Sequence, residues 1–128
     1  MATQDNTSNA SNTAGLGIEV FTSSFTFAGE TAGEVVQMFT VEPGMKVVDV
    51  RLYQAALGAS ATLIVGDGTD PNGYITSTTA NTAAVDRLNG AYGAGKTYSA
   101  QDTIDITTET AAVTGQVDLT VFVQRTYA

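Results

Sequence analysis

The sequence predicts an all-β protein, an antiparallel β-sandwich of about seven to eight strands with jelly-roll-like connections. Two observations predict this class. Short runs rich in β-branched and aromatic residues follow one another along the chain, and clusters of glycine, proline, aspartate and asparagine separate them. A third observation argues against a parallel α/β fold, because no stretch between these runs has the length and periodicity of a crossover helix.

The first two predicted strands precede the sharpest turn of the chain. Residues 18–27 form the first strand, residues 28–33 a glycine-containing turn, and residues 34–41 the second strand. Pro43 then fixes its own φ, and Gly44 permits the positive φ of a type II turn. Alternation in the second strand predicts one face with Val36, Met38 and Thr40, and another with Val35, Gln37, Phe39 and Val41.

The next strand, residues 45–55, alternates almost strictly. One side is core-like in its middle and consists of Lys46, Val48, Val50, Leu52 and Gln54. The other side is mixed, is expected to meet water or a partner, and consists of Met45, Val47, Asp49, Arg51 and Tyr53. Residues 59–65 follow as a short buried strand, residues 66–73 as a glycine-rich loop, and residues 74–79 as a strand of low apolar content.

The last third of the chain is predicted to contain one long connection and two strands. Residues 81–95 are expected to form a loop with a short helix, closed by glycines. Residues 103–107 alternate, with Ile104 and Ile106 pointing inward. Gly115 is expected to supply the turn before the final strand, residues 116–127. The core face of that strand is predicted to carry Val117, Leu119, Val121 and Val123.

The composition excludes several kinds of chemistry. The 128-residue chain contains no cysteine, no histidine and no tryptophan. Disulfides, thiolate metal sites and Ser/His or Cys/His nucleophilic pairs are therefore impossible, and the side chain most used as a general base near neutral pH is missing. We expect a protein that is not an enzyme and that uses no cofactor.

The charge of the chain also limits its partners. Thirteen acidic and five basic residues give a formal net charge of −8. Such a chain has no basic footprint for nucleic acid or for an anionic membrane, so neither is expected as a partner. Charged residues make up only 14% of the chain, below the ~25% usual for soluble domains. This shortfall favours a protein that covers much of its surface with other subunits.

The loop GDGTDPNG, residues 66–73, is the strongest candidate for a ligand site. Asp67, Asp70 and Asn72 supply closely spaced oxygen atoms of the kind that calcium prefers. The spacing does not match an EF-hand, and Asp-Pro-Asn-Gly is also ordinary turn chemistry. The structural turn is the favoured interpretation, and no metal ligand is assigned.

Two further patterns have weak chemical interpretations. The carboxylate pairs Glu30 with Glu34 and Asp102 with Asp105 could act as acid and base, but solvated carboxylates at turns are the better interpretation. Residues 90–97, GAYGAGKT, match the letters of a phosphate-binding P-loop ending at Lys96 and Thr97. A P-loop needs a buried parallel strand before it and a long helix after it, and the sequence predicts neither.

The chain is divided into an extended polar N-terminal arm, residues 1–15, and a β-sandwich domain, residues 16–128. The arm has too little apolar surface to fold alone, and it lacks the positive start and apolar run of a secretory signal. We expect it to lie along a neighbouring subunit or a larger surface. The residues predicted to make this interface are Thr3, Gln4, Asp5, Asn6, Thr7, Asn9, Asn12 and Thr13.

Four segments within residues 21–127 carry a resemblance to a known family. They are VEPGMKVVDVRLYQ, ATLIVGDGTDPNGYITS, TYSAQDTIDITT and GQVDLTVFVQRTY. In this order of turn, loop, alternating segment and closing strand, the chain resembles the small decoration, or cement, proteins on the heads of tailed bacteriophages and cyanophages. The family has no catalytic residues to transfer.

The resemblance implies a β-sandwich subunit, often a trimer, on the outer surface of the virion capsid at threefold or quasi-threefold positions. There it would bridge adjacent major capsid proteins and stabilise them against the pressure of the packaged DNA. Two alternatives stay open. One is another phage component, such as a neck, head-fibre or tail protein, and the other is a calcium- or carbohydrate-binding β-sandwich module.

Overall fold

Two antiparallel sheets pack face to face in the computed structural model of the chain, which describes residues 17–93 and 95–125. Sheet 1 contains, side by side, β1 (Ile18–Glu30), β9 (Val113–Arg125), β3 (Met45–Gln54) and β6 (Ala84–Arg87), and the short β7 (Lys96–Thr97) pairs with the other end of β3. Sheet 2 contains, in order, β2 (Val35–Val41), β8 (Asp102–Thr108), β4 (Thr62–Gly66) and β5 (Ile75–Thr79). The predicted all-β sandwich is confirmed. None of the described residues forms a helix long and apolar enough to span a membrane.

The connectivity is that of a jelly roll. Strand β1 pairs with β9, β2 with β8, β3 with β6, and β4 with β5, as in a long hairpin folded back on itself. Strand β9 also pairs with β3 in sheet 1, and β8 also pairs with β4 in sheet 2, so that each sheet is continuous. Turns of the predicted kind connect the layers, since Gly44 has a φ of 90° and the Met45 N–H donates to the Glu42 carbonyl over 3.1 Å.

The core lies between the two sheets and is made by the inward face of each strand. The predicted core face of β9 is confirmed, and Ile104 and Ile106 of β8 are fully buried as expected. The largest fully buried apolar side chains are Tyr74, Phe27, Leu52, Leu63, Ile75, Ile104, Ile106 and Leu119. Because both inner faces are apolar, this layer of side chains holds the sheets together through the hydrophobic effect.

Two β-bulges correct the predicted faces of β2 and β3. In β3 the register shifts between Val47 and Asp49, so Val48 is the extra residue. Met45 and Val47 therefore face the core before the bulge, and Val50, Leu52 and Gln54 face it afterwards. In β2 a shift between Gln37 and Phe39 turns Phe39 and Val41 inward in the same way. One inserted residue reverses the alternation, and a strict period of two cannot show where this happens.

The predicted helix within residues 81–95 is wrong. Strand β6 occupies part of this stretch, and its residues Ala84 and Val85 pair with Gln54 and Tyr53 of β3. Pairing with the free edge of β3 overrides the weak local preference of this segment. Gly115 also lies within β9 and not in a turn before it, because β9 begins at Val113 and continues to pair with β1 through its register shift.

Candidate functional site

The loop that follows β4 closes around a buried carboxylate. Asp67 is 2% exposed, and its Oδ1 accepts hydrogen bonds from the backbone N–H groups of Thr69 (3.0 Å) and Asp70 (2.9 Å). The backbone completes the turn, because the Asp67 N–H donates to the Asp70 carbonyl over 3.1 Å. This side-chain-to-backbone arrangement is the usual stabilisation of a tight Asx turn.

Three tyrosines connect this carboxylate to the rest of the sandwich. The Tyr92 hydroxyl donates to Oδ1 of Asp67 over 2.8 Å, and the Tyr98 hydroxyl donates to Oδ2 over 2.8 Å. The hydroxyls of Tyr74 and Tyr98 lie 2.5 Å apart. Since Tyr98 gives its only hydroxyl proton to Asp67, Tyr74 is the donor in that pair. The result is a hydrogen-bonded chain from Tyr74 through Tyr98 to Asp67.

The ammonium group of Lys96 lies beside this cluster and offsets the negative charge of Asp67. Its Nζ lies 3.9 Å from Oδ2 of Asp67 and 4.1 Å from the centre of the Tyr92 ring. Burial by itself raises the pKa of Asp67, but the hydrogen bonds from Asp70, Tyr92, Tyr98 and Thr69 outweigh burial and hold the pKa below its ordinary value. Asp67 is therefore an ionised structural anchor.

Oxygen atoms of two residues weighed for a cation site in this loop, Asp67 and Asp70, are engaged in hydrogen bonds within the protein. The oxygens of Asp67 already face N–H and O–H donors, which would point their protons at a bound cation. The Asp70 carbonyl is also engaged, because it accepts the Gly73 N–H over 3.0 Å as well as that of Asp67. Within residues 17–93 and 95–125, no group of three or more acidic side chains is placed to hold a metal ion. The geometry fits the favoured interpretation of a structural turn.

Three glycines allow close packing here, one within the loop after β4 and two between that loop and the segment after β6. A Cβ on Gly66 would lie 2.1 Å from the Asp70 carbonyl oxygen, and one on Gly73 would lie 2.4 Å from a ring carbon of Tyr92. A Cβ on Gly90 would lie 2.3 Å from the Gly73 carbonyl oxygen. Real Cβ atoms do not approach this closely, so Gly66 is required for the closure of its own loop, and Gly73 and Gly90 are required for the contact between the two segments.

The P-loop-like letters at residues 90–97 belong to this contact between the two segments. Gly90 packs on the backbone of Gly73, and Lys96 begins the two-residue strand β7 with its ammonium group directed at Asp67. The strand before the segment, β6, is antiparallel to its neighbour β3. None of the described residues after it forms a helix whose N-terminus could hold a phosphate.

The carboxylate pairs weighed for acid–base chemistry have separate structural contacts. Glu30 accepts the Ala28 N–H over 2.5 Å, and Asp102 accepts the N–H groups of Thr103 (2.7 Å) and Gly68 (3.3 Å). Asp105 accepts the Thr103 hydroxyl over 2.7 Å, and burial raises its pKa above the ordinary value despite that bond. These contacts support an interpretation in which the carboxylates shape turns and strand ends.

The outer face of sheet 1 is the most distinctive surface of the described part of the chain. Four of the five large apolar side chains that are well exposed lie on it, namely Ile18 (51%), Val20 (56%), Tyr53 (41%) and Val85 (60%). Beside them, Arg51 lies over the Phe122 ring at 5.0 Å and contacts Asp49 at 3.4 Å. Alternation within residues 45–55 predicts Arg51 and Tyr53 on a mixed face, but it does not show the patch, because the members of the patch lie on four different strands.

Charge is distributed unequally between the two sheets. All five lysines and arginines of the chain lie on strands of sheet 1: Lys46, Arg51, Arg87, Lys96 and Arg125. The four strands of sheet 2 carry Asp102 and Asp105 and no cation. Because the strands of sheet 1 also carry five carboxylates, the acidic excess of the described residues lies on sheet 2 and in the connections. The predicted interface residues of the arm, from Thr3 to Thr13, lie outside the described residues.

Comparisons with known proteins show a shared fold. No family model and no curated protein matches the sequence. A chain of the cyanophage Pam1 capsid asymmetric unit superposes with a TM-score of 0.74 at 19% identity, covering 84% of both chains. A chain of the Ralstonia phage GP4 capsid gives 0.67 at 16% identity, covering 87% of this chain and 86% of that one. A chain of the acidic stable capsid of Helicobacter pylori bacteriophage KHP30 gives 0.58 at 14% identity, covering 84% and 86%.

Proposed function

We propose that this chain is a structural virion protein that decorates the outer surface of a phage capsid and stabilises it by bridging major capsid proteins. The observation that carries the proposal is the jelly roll shared with chains of three phage capsid structures over more than four fifths of each chain. The resemblance of four sequence segments to decoration proteins selects this role among the components of a capsid.

The chemistry of the described residues supports a role without catalysis. The best candidate for a site, Asp67, is 2% exposed, accepts four hydrogen bonds from within the protein and lies 3.9 Å from the ammonium group of Lys96. The chain has no histidine or cysteine to serve as base or nucleophile. We therefore propose a protein that acts through its surfaces and requires no cofactor.

The proposed partners are the major capsid protein and further copies of this chain, assembled as a trimer. Nucleic acid and membranes are not proposed as partners, because the net charge of −8 repels both. Residues 1–15 are proposed to add contact area on the capsid, as a polar segment that orders on binding.

A binding experiment with capsids tests this function. Purified protein is mixed with phage heads that lack it, and the particles are imaged by electron cryomicroscopy. We expect density for the jelly roll on the outer surface, in contact with more than one major capsid protein, and decorated heads that resist heat or low salt better than bare heads. Density at the neck or tail would replace decoration by one of the other phage roles. Calcium or glycan binding without any particle binding would overturn the proposal.

A further inference from the structure

Strand β1 is the least protected of the four edge strands. It pairs with β9 on one side, and no strand of residues 17–93 and 95–125 pairs with it on the other. It has 13 residues, whereas β2, β5 and β6, at the remaining edges, have 7, 5 and 4. Residues 20–29 of β1 contain no charged side chain and no proline. A long edge strand of this composition is a template for pairing with another strand.

The other three edges carry the devices that usually prevent such pairing. Strand β2 is interrupted by its bulge, β6 is short and carries Asp86 and Arg87, and β5 has only five residues. Strand β1 has its register shift near one end, beyond Ala28, so its free edge is regular over most of its length. This edge is therefore the one that a covering segment would protect.

The same side of the sandwich also leaves aromatic rings partly uncovered. Strands β1 and β2 are both edge strands, and the ring centres of Phe21 and Phe39 lie 5.0 Å apart between them. Phe21, Phe25 and Phe39 pack against the core but are only partly buried, whereas Phe27 is fully buried. A strand added to the free edge of β1 would lie beside these rings and remove apolar area from water.

We infer that residues 4–13 of the same chain pair with the free edge of β1 as an antiparallel outer strand. These residues lie outside the described ones, and the segment that contains them joins the described chain at Gly17, directly before β1. At least sixteen residues precede Gly17, which is enough chain to run along residues 18–27. Gly15 and Leu16 have the Gly-X sequence of a two-residue type II′ hairpin turn, which reverses the chain onto β1.

The register set by this turn suits an outermost strand. Thr13 falls opposite Ile18, and the small side chain of Ala10 falls opposite the ring of Phe21. The remaining residues of the segment are mostly threonine, serine and asparagine, whose side chains can face water on both sides of a sheet edge. Because asparagine is rare in strands, the pairing depends on the short connection, which keeps the segment close to β1.

Disulfide trapping in the full chain tests the pairing, because the chain has no cysteine of its own. Asp5→Cys/Thr26→Cys joins two positions that the inferred register places opposite each other. Asp5→Cys/Val20→Cys is the matched control, since Val20 and Thr26 are both exposed on β1 and Val20 is nearer to residue 5 along the chain. A freely moving arm would close on Val20 roughly 1.7-fold more readily. We expect instead at least ~fivefold more intramolecular disulfide with Thr26 under mild oxidation.

Hydrogen exchange of the β1 amides gives a second measurement that needs no cysteine. Asn9→Pro/Ala10→Pro changes two neighbouring residues, so one of the two prolines removes an N–H that faces β1. We expect the β1 amides on the free edge to exchange at least ~tenfold faster in this variant, and those that pair with β9 to stay unchanged. Asn9→Ala/Ala10→Ser is the control, because it keeps both N–H groups and should exchange as the wild type does.

Three outcomes would overturn the inference. They are disulfide formation with Val20 as readily as with Thr26, disulfides between chains in place of those within one chain, and unchanged amide exchange in the proline variant. Disulfides between chains would assign the segment to the β1 edge of a second copy. The inference does not rest on the proposed function, because pairing with β1 uses one edge of the arm and leaves the other for the capsid. Both measurements are made on free protein, so their failure leaves decoration, which is tested on phage heads, intact.

Discussion

A buried aspartate organises the loop that follows β4. Asp67 joins the loop after β4 to Tyr92 and Tyr98, which lie about thirty residues further along the chain. The sequence pattern identified this loop as a turn, and the structure agrees. The partners that hold it could not be predicted, because tyrosine spacing in a sequence does not show which hydroxyls will converge on one carboxylate.

Replacing the Asp67 charge should destabilise the protein in a pH-dependent way. We expect Asp67→Asn to lower the free energy of unfolding at neutral pH by about 1–3 kcal/mol, since an amide N–H₂ would face the Tyr98 hydroxyl. The pKa of Asp67 is lowered in the folded state, so its stabilisation is present above the unfolded value of about 3.9 and is lost as pH falls through the folded value. The difference between wild type and variant should therefore shrink in acid.

Urea unfolding at neutral pH and at about pH 3 measures both effects. Asp70→Asn is the control, because it removes a carboxylate from the same loop without removing a hydrogen bond described for that side chain. A difference between wild type and Asp67→Asn that stays constant with pH would contradict the assignment of an ionised anchor.

Asp105 should behave in the opposite way. Burial raises its pKa, so the folded state takes up a proton more readily than the unfolded chain, and stability rises as pH falls through the folded value. We expect Asp105→Asn to match or exceed the wild type at neutral pH by up to about 1 kcal/mol, because the amide oxygen can still accept the Thr103 hydroxyl. A loss of stability as large as that of Asp67→Asn would show that the ionised form is needed.

Within single strands, an extra residue at a β-bulge changes which side chains face the core. The bulge at Val48 lets Met45 and Val47 face inward, although the uninterrupted alternation of β3 predicts the opposite side. After the bulge the predicted core face of β3 is confirmed, because Val50, Leu52 and Gln54 are buried. A bulge depends on the partner strand, so its position is decided only when β9 pairs with β3.

The tight closure of the loop after β4 should depend on glycine at position 66. We expect Gly66→Ala to lower the free energy of unfolding by at least about 1–3 kcal/mol, since its Cβ would lie 2.1 Å from the Asp70 carbonyl oxygen. Gly17→Ala is the matched control, because nothing lies within 4 Å of a Cβ there. Chemical unfolding of both variants measures the effect, and equal stability of the two would mean that the loop can move aside without cost.

In the whole molecule, the jelly-roll topology gives each of the two sheets an outer face of its own. Its nested pairing brings the first and last strands, β1 and β9, together at one side of the sandwich, and no other strand of the described residues covers the outer face of sheet 1. All five cations lie on strands of sheet 1, where five carboxylates balance them.

Deleting residues 1–15 should separate folding from capsid binding. The core cluster lies between Phe27 and Val123, so we expect the melting temperature to change little. Binding to undecorated heads should weaken greatly, because the proposed arm contacts are lost. A Gly/Ser segment of the same length is the control for bulk. Truncated protein that binds heads as tightly as the full chain would contradict the arm hypothesis, and a much lower melting temperature would contradict the predicted domain boundary at residue 16.

The sequence by itself determined the fold class, the positions of most strands, the core face of β9 and the type II turn at Pro43 and Gly44. These features follow from local alternation and turn chemistry, which neighbouring residues encode. The tertiary structure decided the two bulges, the strand at Ala84–Arg87, the cluster around Asp67 and the opposition of Arg51 to Arg87. Each of these depends on residues that are distant in the chain and meet only when the long hairpin folds back on itself, so a local pattern does not contain them.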